Sequence, residues 1–242
     1  MSNILARCLR ATQLGLWRQP KQMPLGPELY GNSLDGTYQM IARGAYGDFV
    51  YRSLLEAPAS CALLDIGANI GLFSIALAPH FGQRVFSFEP NPETFQYLQR
   101  NLEHAKLEDV TAICGGVVNS DRKSLTLNTR KFHSGAASMA HSFGWRSVRI
   151  SLIGPSLMTA IVATDDPLAI KVDVEGAEFE VVSCLDACGI LPRCERLVIE
   201  MSAGTNDAAQ LDEIRHIVTR NGLTLEARHG TDHFGDELFV RT

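Results

Sequence analysis

The sequence predicts an α/β fold, one mostly parallel sheet with helices on both faces. Three observations predict it. From Cys61 onward, short apolar runs and amphipathic stretches alternate as β-α-β-α-β. The first run, Ala62–Ile66, is continuously apolar apart from Asp65, as expected of a strand buried on both faces. The chain has 242 residues, 45% hydrophobic and 20% charged, which suits one large domain and is too apolar for a disordered chain.

Residues 1–45 read as an N-terminal helix followed by a loop-rich cap. In the first 17 residues, Arg7 and Arg10 stand where a signal peptide would need its apolar core. The stretch fits an amphipathic helix with Ile4, Leu5, Cys8, Leu9 and Thr12 on one face. Packing against its own domain or a partner subunit is preferred over a membrane surface, so the helix could support a homodimer. Pro20, Pro24, Gly26, Pro27, Gly31, Gly36, Gly44 and Gly47 then punctuate the cap. A helix is expected near Asp48–Glu56, before Pro58.

The main domain, residues 46–242, opens with the strand Ala62–Ile66. Gly67-Ala68-Asn69-Ile70-Gly71 follows, and then a helix over Leu72–Ala78. Arg84–Phe88 is the second strand, ending at Glu89. Asn91 is a good N-cap, and Pro92 suits the first helical position. Phe95, Leu98, Leu102 and Ala105 give that helix its apolar face. Val110–Cys114 is a third strand. At about 120–160 the pattern changes to a β insertion. Ser124–Asn128 and Ser147–Leu152 read as antiparallel strands around a polar loop, His133–Ser138. Ile170–Val174 is a fourth core strand with its helix at Ala177–Leu185, and Leu197–Glu200 is a fifth. Asp207–Arg220 is a helix closed by Gly222. Leu223–Arg228 and Glu237–Arg241 are joined by eight residues, too few for a helical crossover, so the pair should be antiparallel.

Charge and cysteines narrow the function class. There are 22 Lys plus Arg against 27 Asp plus Glu, a net charge of −5. That disfavours non-specific nucleic-acid binding. No apolar run reaches the ~18 residues that span a bilayer. The six cysteines contain no C-x-x-C pair and read as reduced, buried thiols of a cytoplasmic protein. Cys184, Cys188 and Cys194 match no common zinc spacing.

The chemistry concentrates where strands end. Asp65-x-Gly67-x-x-x-Gly71 lies at a strand-to-helix turn, where glycines let the backbone bend tightly and approach a ligand. The helix start beyond supplies unpaired N–H donors. Asp65 suits a cationic ammonium. A dinucleotide site would prefer G-x-G-x-x-G. Glu89 can hold the two hydroxyls of a ribose. With Pro90 and Asn91, these residues point to an adenosyl ligand bearing a charged amino-acid tail, for which S-adenosylmethionine is the obvious candidate. The blander reading, in which Asp65 and Asn69 only cap the helix, leaves Glu89 unexplained. Gly116, after the third strand, is placed for backbone contact at an adenine edge.

ALLDIGANIGLFSIALA, VFSFEPNPETFQYLQRNL and IKVDVEGAEFEVV, in this order, resemble the FkbM family of S-adenosylmethionine-dependent methyltransferases. The resemblance covers roughly residues 45 to 200. DIGANIG alone is a general methyltransferase signature, and KVDVEGAE with FEPNP is more specific. The resemblance implies a Rossmann-like class I methyltransferase fold, with seven strands ordered 3-2-1-4-5-7-6 and strand 7 antiparallel. It implies methyl transfer to a hydroxyl oxygen of a sugar, glycan or natural-product small molecule. It also implies that Asp65, Gly67, Ala68, Asn69 and Gly71 line the methionine part of the cofactor and that Glu89 binds its ribose.

Lys171, Asp173 and Glu175 alternate with valines, and period two places the three charges on one side of the strand end. Asp173 should lie at the carboxyl edge of the sheet, where open α/β sheets bind ligands. Asp173 and Glu175 are candidate bases for the acceptor proton, and Asp173 also a cofactor contact. Glu178 and Glu200 could converge with them. A divalent metal held by carboxylates such as Asp173 and Glu200 is a second role, not the favoured one. A third is structural, with Lys171 paired to Glu175 or Glu178. His133 is a further candidate base, ahead of His141, and Ser134 or Ser138 could bond cofactor or acceptor. His229 and His233 are expected on the side of the sheet away from the site. Methylation of protein or nucleic acid is an alternative reading, as is a non-catalytic cofactor-binding module.

Overall fold

A computed structural model of the chain describes residues 20–32, 34–44, 47–130, 133–138, 146–203, 206–231 and 234–242. It opens with a short antiparallel pair, β1 (Lys21–Gln22) and β2 (Glu28–Leu29), and two helices, α1 (Gly36–Ala42) and α2 (Asp48–Leu55). Then come β3 (Ala62–Ile66), α3 (Leu72–Leu77), β4 (Val85–Glu89), α4 (Pro92–Ala105) and β5 (Thr111–Cys114). The insertion holds β6 (Gly116–Val117), β7 (Ser124–Arg130), β8 (His133–Ser138), β9 (Arg146–Ile153) and α5 (Pro155–Ile161). The chain closes with β10 (Leu168–Val172), α6 (Glu178–Ala187), β11 (Cys194–Ser202), α7 (Ala208–Arg220), β12 (Leu223–Gly230) and β13 (Phe234–Arg241).

Seven strands form the central sheet in the order β12-β13-β11-β10-β3-β4-β5. The pairs from β11 through β5 are parallel, and β13 is antiparallel to both its neighbours. Alternation along each strand feeds two apolar layers. Leu64, Ile170, Leu197 and Ile199 pack against Val182, Leu185, Ile214 and Val218 on one face. Leu63, Ala169, Val198 and Leu238 pack against Leu54, Phe73, Ile75 and Leu98 on the other. Each layer removes large aliphatic area from water, at roughly 25 cal/mol per Å², and this fixes the register against a one-residue slip. The insertion strands make a separate sheet, β6-β9-β7-β8, over a small core of Val118, Leu127, Ile150 and Leu152.

One polar side chain joins the N-terminal segment to the sheet edge. Asn101 on α4 is fully buried. Its Nδ2 donates to the Tyr30 carbonyl at 3.0 Å and to the Ile70 carbonyl at 2.8 Å, and its Oδ1 accepts from the Tyr30 amide at 2.6 Å. Both amide hydrogens are satisfied, so its burial carries no unpaired donor.

Several expectations are corrected. Residues His133–Ser138 are not a loop but strand β8, paired antiparallel with β7 through Asn128–Ser138 and Thr129–Ala137. Their small side chains are poor strand formers, and the cross-strand ladder overrides that preference. The link between the last two strands is residues 231–233 rather than eight residues, because His229 and Gly230 pair with Asp236 and Gly235. The cap contains α1, started by Asp35, whose side chain accepts from the Tyr38 amide at 3.0 Å. The fourth strand ends at Val172, so Asp173 and Val174 lie beyond it. The expected N-terminal helix, His141 and His233 lie outside the described residues, as do the side chains of His133, Ser134 and Ser138.

Candidate active site

The turn after β3 is built around two left-handed glycines. Gly67 has φ +83° and Gly71 φ +94°. A Cβ at Gly67 would run into the carbonyl oxygen of Asp173, so only glycine lets β3 and the end of β10 approach this closely. The Gly67 and Ala68 amides both donate to the Phe88 carbonyl at 2.9 Å, which ties the turn to β4. Asn69 also has positive φ, +50°, and its Oδ1 accepts from the Ile70 amide at 2.8 Å. Such local bonding is why Asn tolerates this region.

Glu89 closes the turn from the β4 side. Its Oε2 accepts from the Asn69 amide at 3.0 Å and its Oε1 from the Asn91 amide at 2.8 Å. The carboxylate is only 6% exposed, and burial pushes its pKa up to about 7 against the pull of those two amides. A carboxylate oxygen has two acceptor positions, so one remains on each for a hydroxyl donor. Asn91 also caps α4, with Pro92 at its first position, through the Glu93 amide at 3.1 Å. Gly116 lies beside Pro90, whose Cβ would be 3.6 Å from a Cβ added at the glycine. Predicted cofactor residues from two strand ends and the third-strand exit therefore meet at one sheet edge.

The second half of the site is electrostatic. Lys171 sits directly opposite Asp65 in the parallel ladder and is 3% exposed. Its ammonium is 3.3 Å from Asp65 Oδ1 and 3.3 Å from Asp173 Oδ2, and it donates to the Gly67 carbonyl at 3.2 Å. The Phe73 ring lies beneath it at 5.1 Å. Asp65 Oδ2 accepts from Ser74 Oγ at 2.6 Å, and Ser87 Oγ donates to Ser74 Oγ at 2.7 Å. Asp65 is thus fully buried and connected to the turn through Lys171. The expected pairing of Lys171 with Glu175 or Glu178 is replaced by these two aspartates. Glu178 instead accepts from the Gly176 amide at 2.8 Å and from Asn206.

Beyond Lys171 lies a group of carboxylates. One oxygen each from Asp173, Glu175 and Glu200 falls within 4.8 Å of the others. Burial, then repulsion from neighbouring carboxylates, raises Asp173 well above the usual range and pushes Glu200 to about 8. Asp236 is raised as well, chiefly by burial, with Lys171 opposing.

A family model described as the methyltransferase FkbM domain matches residues 65–225. The chain belongs to this family. Among curated proteins, it is 26% identical over 159 residues to "Hexuronic acid methyltransferase AglP" of Haloferax volcanii, covering 66% of this chain and 63% of that protein. It is 33% identical over 84 residues to "Methyltransferase sdnD" of Sordaria araneosa, covering 34% of this chain and 32% of that protein. The match thus spans less than two thirds of either relative's length. Among solved structures, a TehB-like S-adenosylmethionine-dependent methyltransferase from Corynebacterium glutamicum aligns with TM-score 0.48 and 13% identity, covering 85% of this chain and 95% of that one. A precorrin-6y C5,15-methyltransferase from Geobacter metallireducens aligns with TM-score 0.47 and 13% identity, over 80% and 87% of the two chains. S-adenosylmethionine is the cofactor expected of an FkbM domain.

Two residues beyond the matched span, Asp236 and His229, were missed or misplaced by sequence reasoning. Asp236 pairs with Glu200 across β13 and β11, and His229 pairs with Asp236 across β12 and β13. Both therefore stand at the same sheet edge as Asp173, and the expectation that His229 points away is corrected. An antiparallel last strand begins where its parallel neighbours end, a signal already present in the eight-residue-link argument. The His229 ring stacks on Phe49 of α2 at 5.2 Å and 14°. Along that side runs a cleft of about 610 Å³ lined by Gly47, Phe49, Arg52, Glu226, His229 and Asp236.

Proposed function

We propose that the chain transfers a methyl group from S-adenosylmethionine to a hydroxyl oxygen of a sugar or glycan. The observation that carries this reading is Glu89. Its carboxylate is held by one amide from the β3 turn and one from the start of α4, with an acceptor position left on each oxygen for a ribose diol. The sheet order supports the reading too. Counted along the seven central strands it is 3-2-1-4-5-7-6, the order that the sequence resemblance implies. Family membership and the hexuronic acid methyltransferase among its relatives support a sugar as the acceptor.

In this reading the acceptor enters along the cleft beside α2 and meets the methyl group near Asp173. The acceptor oxygen attacks the methyl carbon, the carbon–sulfur bond breaks, and the hydroxyl proton leaves to a carboxylate, for which Asp173 is the first candidate. Most of the rate comes from in-line positioning, since the sulfonium is already a reactive donor. The test is calorimetric titration with S-adenosylhomocysteine. Micromolar binding by the wild type and at least tenfold weaker binding by Glu89→Ala are expected. Wild-type binding that survives the substitution unchanged would remove the ribose assignment, and with it the basis of the reading.

A further inference from the structure

We propose that Asp173, Glu175 and Glu200 form a binding site for one hard divalent cation of the Mg²⁺, Mn²⁺ or Ca²⁺ class. The three offer carboxylate oxygens within 4.8 Å of one another. Ca²⁺, with bonds of about 2.4 Å, places opposite ligands about 4.8 Å apart and can take oxygens at this spacing, whereas Mg²⁺, with bonds of about 2.1 Å, needs them to close to about 4.2 Å. All three donors are carboxylates, which suits a hard cation and not zinc or copper.

Proximity of acidic groups alone would not make a site. The second observation is Glu200. It is 5% exposed, and its Oε2 is buried with no hydrogen-bond partner among the described residues. A buried carboxylate oxygen left without a partner is costly and calls for a missing proton, water or ion. The nearby ammonium does not supply it. Lys171 is engaged with Asp65, Asp173 and the Gly67 carbonyl, and among the described residues no ion pair reaches Glu175 or Glu200.

The sequence placed Glu175 and Glu200 on different elements, and three features bring them together. The parallel pairing of β10 with β11 sets Val172 beside Ile199, one residue before Glu200. The chain then turns at Glu175, with φ +52°, and at Gly176, with φ +103°. The turn is fastened by Glu178, which accepts from the Gly176 amide. The site lies one residue beyond β10 and adjoins the turn that receives the cofactor, since the Asp173 carbonyl packs against Gly67 and Lys171 bridges Asp173 to Asp65. What the cation does there rests on the hydroxyl-methylating reading: it would take the acceptor oxygen as a ligand and lower the pKa of its hydroxyl. That it binds does not rest on that reading.

The experiment uses the full chain freed of metal with a chelator and then titrated with Mn²⁺, the free ion being followed by its electron paramagnetic resonance signal. One saturable site per chain is expected, with affinity of about 0.1–1 mM or tighter. Glu200→Gln and Asp173→Asn should each weaken it at least tenfold. Glu175→Gln, at an exposed position that cannot unfold the core, should weaken it as well, and Mg²⁺ or Ca²⁺ should displace Mn²⁺. Absence of a saturable site, or a site indifferent to all three substitutions, overturns the proposal and leaves protons as what neutralises the cluster. Titration with S-adenosylhomocysteine on the same preparation reads the cofactor turn alone. Intact cofactor binding without Mn²⁺ binding removes the cation only, whereas lost cofactor binding counts against the function and leaves the Mn²⁺ result to decide the cation.

Discussion

Glu89 must be buried to be positioned and ionised to accept two hydroxyls, and these demands oppose each other. Burial holds its pKa at about 7, against 4.5 for an unperturbed glutamate. Diol binding favours the ionised form, so affinity for S-adenosylhomocysteine should rise as pH increases from about 6 to 8. A Glu89→Gln variant should bind weakly with a flat profile, and calorimetry across that range checks both. The same shift affects the free protein. Between about 4.5 and 7 the folded chain keeps a proton on Glu89 that the unfolded chain has released, so this group lowers stability as pH rises through that window, with the full cost above it. Glu89→Gln should therefore melt higher than wild type at pH 8 and no higher at pH 4. Asp173 plays a different part, since it touches Lys171 and the carboxylate group rather than the ribose side. Asp173→Asn should reduce turnover about a hundredfold, within the range of a lost general base, while leaving affinity for S-adenosylhomocysteine within about threefold. A loss of cofactor affinity equal to that of Glu89→Ala would sink that separation of roles. The strand-end placement of Asp65, Gly67, Glu89 and Asp173 was legible because each ends or follows an apolar run, but not that Asp65 is buried against Lys171 rather than open to a ligand ammonium. Asn101 and Ser74 were not, because a polar residue inside a helix looks solvated until its burial is known.

At the scale of elements, the turn after β3 depends on one missing side chain. Gly67→Ala adds a Cβ against the Asp173 carbonyl, at a backbone angle that L residues rarely adopt. Strain of about 1–3 kcal/mol is expected, with a lower melting temperature and loss of cofactor binding. Wild-type binding with a wild-type melt would show that the turn can open without consequence. A continuous apolar run identified β3, N-cap chemistry identified α4, and a closing glycine marked the end of α7. The failures share a cause. β8, with its run of small residues, and the His229–Gly230 end of β12 carry residues typical of turns, and they are strands only because a partner strand completes their hydrogen bonds. Local preference cannot report a partner that lies elsewhere in the sequence.

For the whole molecule, alternation of runs and helices made the α/β class legible, and chain length made one large domain the natural reading. The convergence of Glu200, Asp236 and His229 was less so. It depends on the pairing of β11 with β13 and of β13 with β12, and pairing is a property of the assembled sheet. No helix among the described residues is long and apolar enough to cross a membrane.

Asn101 has a consequence for how the molecule would respond in time. It holds the Tyr30 amide and the Ile70 carbonyl with the same side-chain group, so the opening fluctuations of two segments far apart in sequence are linked. A ligand that quiets the turn around Ile70 should also slow deuterium uptake at Tyr30, which is not itself a predicted cofactor residue. In Asn101→Ala the ligand should still slow exchange in the turn, while Tyr30 exchanges at one rate with or without it. The N-terminal segment would then be a reporter of cofactor occupancy, read by mass as hydrogen gives way to deuterium.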